Sequence, residues 1–350
     1  MRLSPSLPHR SPRVPPRVTV VVCSYSTERL DLLQTCLRSL EAQVRQPDET
    51  LLVIDHNGAL LERARELFPQ ISVIANDRQR GASGARNCGI AHARGEVVAF
   101  LDDDTTADER WLLELLRPYE DRSVLGTTGR VVPNWPNGRP TWFPPEFDWV
   151  VGCTYRGMPQ DPAPVRNLWG PMAFRRAVIE DLGGFDETMG LVRRNALGCE
   201  ETELSIRLHA QHPSGILLYV PAARTTHHLD VARTRVRYFL RRCYGEGQSK
   251  AIVALRVGPE RALATERTYV MTALPAGLRR CLGQVLTGRF GSLRCAAMIL
   301  AGLATTTAGY LSGRLSRRAR HATTDRAHPH RRHEPTGLVL HARDRGLRTG

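Results

Sequence analysis

Strand-like and helix-like segments alternate over the first hundred residues, and this alternation limits the chain to an α/β fold. The first segment, Val18–Val22, consists of β-branched residues without polar alternation, which is typical of a strand buried on both faces of a sheet. Repeated strand–helix–strand units predict a mostly parallel sheet flanked by helices. The predicted order is strand 17–24, helix 29–45, strand 49–55, helix 60–68 and strand 71–75.

Polar side chains follow three of the predicted strands. Ser24 and Tyr25 follow the first, Asp55 closes the second, and Asp102–Asp104 follow the apolar run Val97–Leu101. Ligands of parallel sheets lie beyond the carboxyl ends of the strands, so we expect these side chains to share one rim.

The acidic run Asp102–Asp104 supplies carboxylate oxygens at one point of that rim. Hard divalent cations prefer such oxygens, and Mg²⁺ is commonly held by one or two carboxylates together with substrate phosphates. The run therefore predicts a site for Mg²⁺ or Mn²⁺ and a nucleotide diphosphate. The alternative is an Asp-rich turn after a buried strand.

A glycine-rich segment, Arg80–Ile90, lies between the third strand and the acidic run. Gly81 and Gly84 permit close backbone approach, and a helix that starts near Ala85 would offer free amides to an anion. Arg86 can add a charge-assisted contact to phosphate. A plain connection between strand and helix is the alternative.

These motifs continue downstream, and their joint order over residues 18–250 resembles the family 2 glycosyltransferases. The resemblance implies one catalytic domain with the A-type glycosyltransferase fold, a metal-dependent sugar-nucleotide donor and inversion at the anomeric carbon. The motifs are Val-Cys-Ser-Tyr-Ser at 22–26, Val-Ile-Asp-His-Asn at 53–57, Gly-Ala-Arg-Asn-Cys-Gly at 84–89, Phe-Leu-Asp-Asp-Asp at 100–104, Trp-Gly-Pro-Met-Ala-Phe-Arg-Arg at 169–176, Leu-Gly-Gly-Phe-Asp-Glu at 182–187 and Gly-Cys-Glu-Glu-Thr-Glu-Leu-Ser-Ile-Arg at 198–207.

The resemblance also assigns roles on the donor side. Asp55 would contact the base, Arg86 would lie near the phosphates, and Asp102 would approach the ribose. Asp104 would bind the metal, and a late histidine near it would be His227 or His228. The donor-binding set that the resemblance implies is Ser24, Tyr25, Asp55, Asn57, Arg86, Asp102 and Asp103, with Asp104 and His227 as metal ligands.

For catalysis, the resemblance points to the acidic pair Glu200-Glu201 at the start of a helix. The family usually has Glu-Asp there, with Asp as the general base, so Glu201 takes that position with one extra methylene. Glu203 is the fallback base, and an acidic helix cap without catalytic duty is the alternative. Trp169 and Gly170 either form the wall between donor and acceptor or are a buried aromatic with a turn glycine.

The formal net charge of +14 is concentrated at the two ends of the chain. Residues 1–17 contribute four Arg and no acid, and residues 314–350 contribute ten Arg against three acids. We therefore predict a disordered basic arm at 1–17, a catalytic domain at 18–250, a helical extension at 251–313 that is either packed on the protein or associated with a membrane, and a disordered basic tail at 314–350.

Cysteine usage and the N-terminus predict a cytoplasmic protein. The eight cysteines occur singly, without the close pairs of zinc or redox motifs, and residues 1–17 contain no apolar segment of a secretory signal. Residues 295–313 carry no charge, but their Thr, Gly and Ala content favours a helix on the protein or at the inner membrane surface over a span. The basic, aromatic segment 233–250 suits an anionic membrane surface, the donor pyrophosphate or simple packing.

Two other classes of protein compete with a transferase that adds single sugars to a hydroxyl of a glycan, a lipid-linked intermediate or a small metabolite. A sugar nucleotidyltransferase would have a Gly-rich signature after the first strand, where this chain has Ser24–Thr27. A non-catalytic protein that binds membrane or nucleic acid would use the basic ends, but that charge lies outside the predicted domain, which counts against this class. Nucleic acid is not the expected partner. The Gln-x-x-Arg-Trp motif of processive synthases is missing from the sequence.

Overall fold

The structure, a computed structural model, describes residues 15–188 and 199–327. The chain divides into two units, residues 1–314 and residues 315–350, and every described strand belongs to the first. Residues 1–14 of the predicted arm and residues 328–350 of the predicted tail lie outside the described residues, so their disorder stays a prediction.

The described residues form nine strands and ten α-helices. The strands are β1 (Val18–Ser24), β2 (Glu49–Ile54), β3 (Ser72–Ala75), β4 (Val97–Asp102), β5 (Thr105–Ala107), β6 (Val124–Asn134), β7 (Ala163–Pro164), β8 (Met172–Arg175) and β9 (Ile216–His228). The helices are α1 (Leu30–Glu41), α2 (Gly58–Leu67), α3 (Ala82–His92), α4 (Trp111–Leu116), α5 (Arg176–Asp181), α6 (Glu200–Gln211), α7 (Val236–Val257), α8 (Pro259–Ala262), α9 (Ala264–Leu286) and α10 (Ser292–Ala327).

The parallel sheet predicted for the first hundred residues is confirmed. β1 lies between β2 and β4 and pairs in parallel with both, and β3 pairs in parallel with β2. The register places Ser24 opposite Ile54 and Cys23 opposite Asp102. The carboxyl ends of these strands therefore meet at one edge of the sheet.

Apolar cores cover both faces of this sheet, as the continuous apolar strands require. On one face, β1 and β4 pack against Leu33 and Leu37 of α1 and Trp111 of α4, all buried. On the other face, the same strands pack against buried residues of α3, α5 and α6, including Cys88 and Leu204. Burial on both faces fixes the strand ends relative to the helices that carry the candidate site.

The second half of the sheet is mixed. The strand order is β3-β2-β1-β4-β8-β6-β9-β5, in which β8 is antiparallel to β4 and β6, β6 is parallel to β9, and β5 and β7 are antiparallel to β9. β9 continues well past the apolar run Ile216–Val220, because residues beyond Val220 pair with both β5 and β6. The pairing sets His227 opposite Thr105, so both His227 and His228 lie on a strand and not in a loop.

A third core joins the C-terminal helices to the sheet. Phe143 and Phe147 from the segment after β6 pack with Phe239 of α7, Leu274 of α9 and Ile299 of α10, and all five are buried. The Phe143 and Phe147 rings both contact the Phe239 ring, with centroids 5.3 and 5.2 Å from the Phe239 centroid. The predicted helical extension, residues 251–313, thus belongs to the first unit. Its predicted start at residue 251 lies inside α7, which continues to Val257.

Helix α10 packs on α7 through glycines. A side chain at Gly302 would collide with the Phe147 and Phe239 rings, and one at Gly309 would collide with the backbone of Tyr244. α10 also continues past residue 313 to Ala327, where a disordered tail was expected, because residues 314–327 contain good helix formers and no Pro or Gly after Gly313. By length and composition alone, Ser292–Ser316 could cross a membrane, with 22% of its apolar window buried.

Candidate active site

The ends of β1 and β4 are joined by a buried hydrogen bond. Ser24 Oγ donates to Asp103 Oδ2 at 2.6 Å, and Arg29 Nη1 donates to Asp103 Oδ1 at 2.9 Å. The Arg29 guanidinium also lies 5.1 Å from the centroid of the Tyr25 ring. Burial raises the pKa of Asp103 to about 6, although the positive charge of Arg29 opposes this. The first loop and the acidic run therefore meet, as the strand order predicts.

Asp104 lies among three basic side chains. Its Oδ2 is 3.2 Å from Nε2 of His227, 3.2 Å from Nη1 of Arg29 and 3.5 Å from Nη2 of Arg233. Nη1 of Arg233 is also 3.0 Å from Nε2 of His227. Burial disfavours ionisation of Asp104, but the hydrogen bond from His227 and the two arginine charges hold its pKa well below the usual range. Asp104 is thus a buried, ionised carboxylate.

Arg86 connects the acidic run to the start of α6. Its Nη1 donates to Glu201 Oε1 at 3.1 Å, and its Nη2 lies 3.6 Å from Oδ1 of Asp102. The guanidinium also lies over the Phe185 ring, 5.4 Å from the centroid. Burial disfavours the charged form, but the neighbouring carboxylates raise the pKa of Arg86 above its usual value. One guanidinium therefore touches the candidate base and the candidate ribose ligand.

Glu200 is the more deeply buried of the two glutamates. Only 4% of it is exposed, its Oε1 lies 3.5 Å from Nη1 of Arg86, and its Oε2 has no hydrogen-bond partner within the part of the chain that the structure describes. Burial and the neighbouring charge of Glu201 raise the pKa of Glu200 to about 7. At neutral pH, Glu200 is therefore partly protonated.

The raised pKa of Glu200 makes stability depend on pH. The folded protein binds this proton more tightly than the unfolded chain, whose value is 4.5, so stability falls as pH rises from about 4.5 to about 7. Glu200→Gln is neutral at every pH. We therefore expect its free energy of unfolding, relative to that of wild type, to be about 1–3 kcal/mol higher at pH 7.5 than at pH 5. Urea unfolding of both proteins at both pH values measures this change. If the variant and wild type differ by the same free energy at pH 5 and at pH 7.5, the raised pKa of Glu200 is contradicted.

Asp55 and Asn57 have structural partners in this region. Asp55 accepts from the Gly81 amide at 3.0 Å and from Asn76 Nδ2 at 2.7 Å, which ties the end of β2 to the glycine-rich loop. Asn57 caps α2 by accepting from the Leu60 amide at 3.1 Å, and its Nδ2 donates to the Tyr25 carbonyl at 3.1 Å. Their predicted donor contacts stay predictions.

The glycine-rich loop differs in detail from the prediction. α3 begins at Ala82, three residues before the expected start, with Gly81 at φ 126° as its N-cap. A side chain at Gly84 would collide with the backbone of Gln79, which explains why glycine is needed there. The Gly81 amide is bound to Asp55, so the loop is held by the protein itself.

The remaining sequence candidates have other partners. Glu203, the fallback base, pairs with Arg207, whose Nε lies 2.8 Å from Glu203 Oε1. His228 Nε2 lies 2.6 Å from Thr106 Oγ1, while the Trp169 ring packs against Tyr219 with centroids 5.5 Å apart. Gly170 has φ 56°, which is the turn conformation that the alternative interpretation requires.

Arg29 was not identified from the sequence, and Arg233 was identified only as part of a basic segment. Arg29 follows the first loop and precedes α1. Its place in the chain, close to the end of β1, is the only feature of the sequence that indicates a role for it in the site. Arg233 lies in a short 3₁₀ helix after β9, and only the β5–β9 pairing brings it to Asp104. Both arginines place positive charge where the sequence predicts phosphates.

Buried polar contacts from α7 and α9 lie next to Cys199, the residue that precedes α6. Lys250 Nζ lies 2.6 Å from Glu266 Oε1, and Cys199 Sγ donates to Glu246 Oε1 at 3.3 Å. Burial disfavours the ammonium, but the negative neighbours raise the pKa of Lys250 above its usual value. Cys199 precedes Glu200 and has a left-handed backbone at φ 79°, so this contact helps to fix where α6 begins.

Asp104 and His227 are the candidate ligands of a divalent cation. Within the described ranges, His, Cys, Asp and Glu side chains form no group of three or more that could hold a metal ion. This donor set still fits Mg²⁺ or Mn²⁺, because those ions take carboxylate oxygen and complete their shell with water and substrate phosphates. Asp104 and His227 are already adjacent, with Oδ2 and Nε2 3.2 Å apart.

The strand order and the flanking helices are those of the A-type glycosyltransferase architecture. The model of glycosyl transferase family 2 matches residues 19–183. The glucosyl-dolichyl phosphate glucuronosyltransferase of Haloferax volcanii is 34% identical over 244 residues, which cover 68% of this chain and 78% of that protein. The chain belongs to the family 2 glycosyltransferases and is a glycosyltransferase.

Two further comparisons agree with this class. The pre-mycofactocin glycosyltransferase of Mycobacterium tuberculosis H37Rv is 28% identical over 295 residues, which cover 80% of this chain and 58% of that protein. The structure of the mannosyltransferase PcManGT from Pyrobaculum calidifontis, in complex with GDP-Man and Mn²⁺, matches with a TM-score of 0.53. It is 18% identical and covers 86% of this chain and 88% of that chain, and this likeness shows the fold.

Proposed function

We propose that this enzyme transfers a single sugar, with inversion, from a nucleoside-diphosphate sugar to a hydroxyl acceptor, with the help of Mg²⁺ or Mn²⁺. The observation that supports it most directly is the Arg86 guanidinium, which contacts Glu201 at 3.1 Å and Asp102 at 3.6 Å. The candidate base and the donor side of the site thus lie within the span of one side chain.

On the donor side, we assign the nucleoside to the first loop and the end of β2, through Ser24, Tyr25, Asp55 and Asn57. Arg29 and Arg233 flank Asp104 and would neutralise charge that grows on the leaving diphosphate. A divalent cation at Asp104 and His227 would act as a Lewis acid on the same phosphates. The mannosyltransferase of the same fold binds GDP-Man together with Mn²⁺, which is consistent with this arrangement.

On the acceptor side, we assign Glu201 as the base that takes the proton from the attacking hydroxyl. Arg86 fixes the position of its carboxylate, and α6 supplies a favourable dipole at that end of the helix. Glu200, which is buried and partly protonated at neutral pH, supports Glu201 without replacing it. Trp169 and Gly170 remain our candidates for the wall between donor and acceptor.

For the acceptor, we favour a lipid-linked saccharide among the three classes of hydroxyl. The relative that is 34% identical is named for a glucosyl-dolichyl phosphate acceptor.

Membership of the glycosyltransferase family favours a sugar transferase over the two competing classes, a nucleotidyltransferase and a non-catalytic binding protein. All eight cysteines are free thiols, which agrees with the cytoplasmic location that we propose.

A thermal-shift screen tests the proposal. We expect one of the UDP-, GDP- or dTDP-sugars to raise the melting temperature by several degrees with Mn²⁺, because a ligand that binds only the folded state stabilises it. The shift should vanish with EDTA, and the free sugar should give none. If no sugar nucleotide stabilises the protein at millimolar concentration, the proposed function is wrong.

A further inference from the structure

The turn between α9 and α10 exposes four large apolar side chains. Leu286 is 88% exposed and Phe290 is 69% exposed, and Leu282 and Leu293 on either side are also exposed. We call these four residues the apolar tip. Exposed apolar patches on soluble proteins usually mark an interaction site, because leaving such side chains in water is unfavourable.

An exposed apolar stripe continues from the tip along α10. Leu293, Leu300 and Leu311 are exposed on one side of the helix, while Cys295 and Ile299 are buried on the other side against the third core. Among the described residues, one face of α10 packs on the protein and the opposite face is exposed. This geometry suits a helix that lies along a surface more than one that crosses a bilayer alone.

The segment of the chain that carries the tip has only positive charges. Residues 267–316 contain six Arg and no Asp, Glu or Lys. Three of these, Arg279, Arg289 and Arg294, are exposed beside the apolar tip. Basic side chains next to a bilayer are attracted to anionic headgroups while neighbouring aliphatic chains enter the acyl boundary.

We propose that the apolar tip and the outer stripe of α10 dock the enzyme on the surface of an anionic phospholipid bilayer. The tip residues would enter the headgroup and acyl boundary, and Arg279, Arg289 and Arg294 would contact lipid phosphates. Aliphatic leucines dominate the surface, which favours lipid over nucleic acid, where stacking aromatics and polar side chains would be expected. The docking does not depend on the proposed sugar transfer.

Co-sedimentation of the full chain with vesicles tests the docking. We expect the protein to bind mixed phosphatidylcholine and phosphatidylglycerol vesicles at least about tenfold more tightly than phosphatidylcholine alone, and less tightly as salt is added. Leu286→Glu combined with Phe290→Glu should weaken binding to the mixed vesicles by at least about tenfold. Arg289→Gln combined with Arg294→Gln should weaken it by about fivefold or more.

The control is Val44→Glu, which places one of the two added negative charges on a residue that is 61% exposed but distant in sequence from the tip. This variant should bind like wild type, and all variants should keep the wild-type melting temperature because the altered side chains are exposed. Three results would overturn the proposal. The first is that the tip variant binds vesicles as tightly as wild type. The second is that a DNA duplex displaces the protein from vesicles and that the tip variant loses DNA binding as much as vesicle binding. The third is that the protein self-associates through the tip in the absence of lipid.

Discussion

Asp104→Asn is expected to reduce turnover of the donor by about 10²–10⁴-fold and to abolish its dependence on Mn²⁺. The substitution keeps the shape of the side chain but removes the charge that lies 3.2 Å from His227 and 3.2 Å from Arg29. Asparagine keeps a carbonyl oxygen but not the negative charge, so the site loses the anionic ligand that we assign to the cation. Donor hydrolysis, measured with Mn²⁺ and with EDTA, gives both quantities.

The control for Asp104 is Asp108→Asn. Asp108 lies four residues further along and pairs at the surface with Arg224 at 3.5 Å, so its loss removes an equal charge outside the site. This variant should keep wild-type turnover and metal dependence. If Asp104→Asn is still activated by Mn²⁺ as wild type is, the assignment of Asp104 is wrong.

Glu201→Gln is expected to lower kcat by about 10²–10⁴-fold while the KM for the donor stays within about threefold of wild type. Glutamine can still accept the hydrogen bond from Arg86 at Oε1, so the local structure and the donor side are kept. It cannot take a proton from the attacking hydroxyl. Steady-state hydrolysis of the donor, with water as acceptor, measures both constants.

Glu200→Gln separates the two adjacent glutamates. Glu200 is buried and partly protonated near pH 7, so a neutral glutamine is a close substitute for it. The Glu200→Gln variant should therefore keep most of the wild-type turnover, while its stability changes with pH as described above. If Glu200→Gln loses turnover and Glu201→Gln keeps it, the base is misassigned. If neither variant loses more than about tenfold, general base catalysis by this pair is excluded.

Much of the first half of the fold follows from local sequence signals. The β-branched run at Val18–Val22 and the apolar run before Asp102 identify central strands, because only strands buried on both faces lack polar alternation. Parallel pairing then places Ser24 and the acidic run at the same edge without any knowledge of side-chain contacts. The Ser24–Asp103 hydrogen bond is a direct consequence.

The second half of the site depends on long-range pairing that the sequence does not signal. β9 extends to His228 only because it pairs with β5 and β6, and this pairing brings His227 and Arg233 to Asp104. Arg29 resembles any surface arginine at the start of a helix until the first loop folds against Asp103. Charge complementarity to a buried carboxylate is visible only in three dimensions.

The C-terminal helices show a similar limit. The glycines of α10 resemble weak points of a membrane span in the sequence, whereas in the structure Gly302 and Gly309 allow the helix to pack closely on α7 and the third core. Which face of α10 is covered could not be predicted, because it depends on contacts with Phe147 and Phe239 from distant parts of the chain.

We propose that Asp104 and the donor diphosphate share one cation at the meeting point of the strand ends. Anomalous diffraction from crystals soaked with Mn²⁺ and the nucleoside diphosphate would locate this cation. We predict one Mn²⁺ peak about 2.0–2.6 Å from an Asp104 carboxylate oxygen and from the diphosphate, with His227 adjacent. A diphosphate bound without Mn²⁺ at Asp104, or bound away from the ends of β1 and β4, would contradict the account.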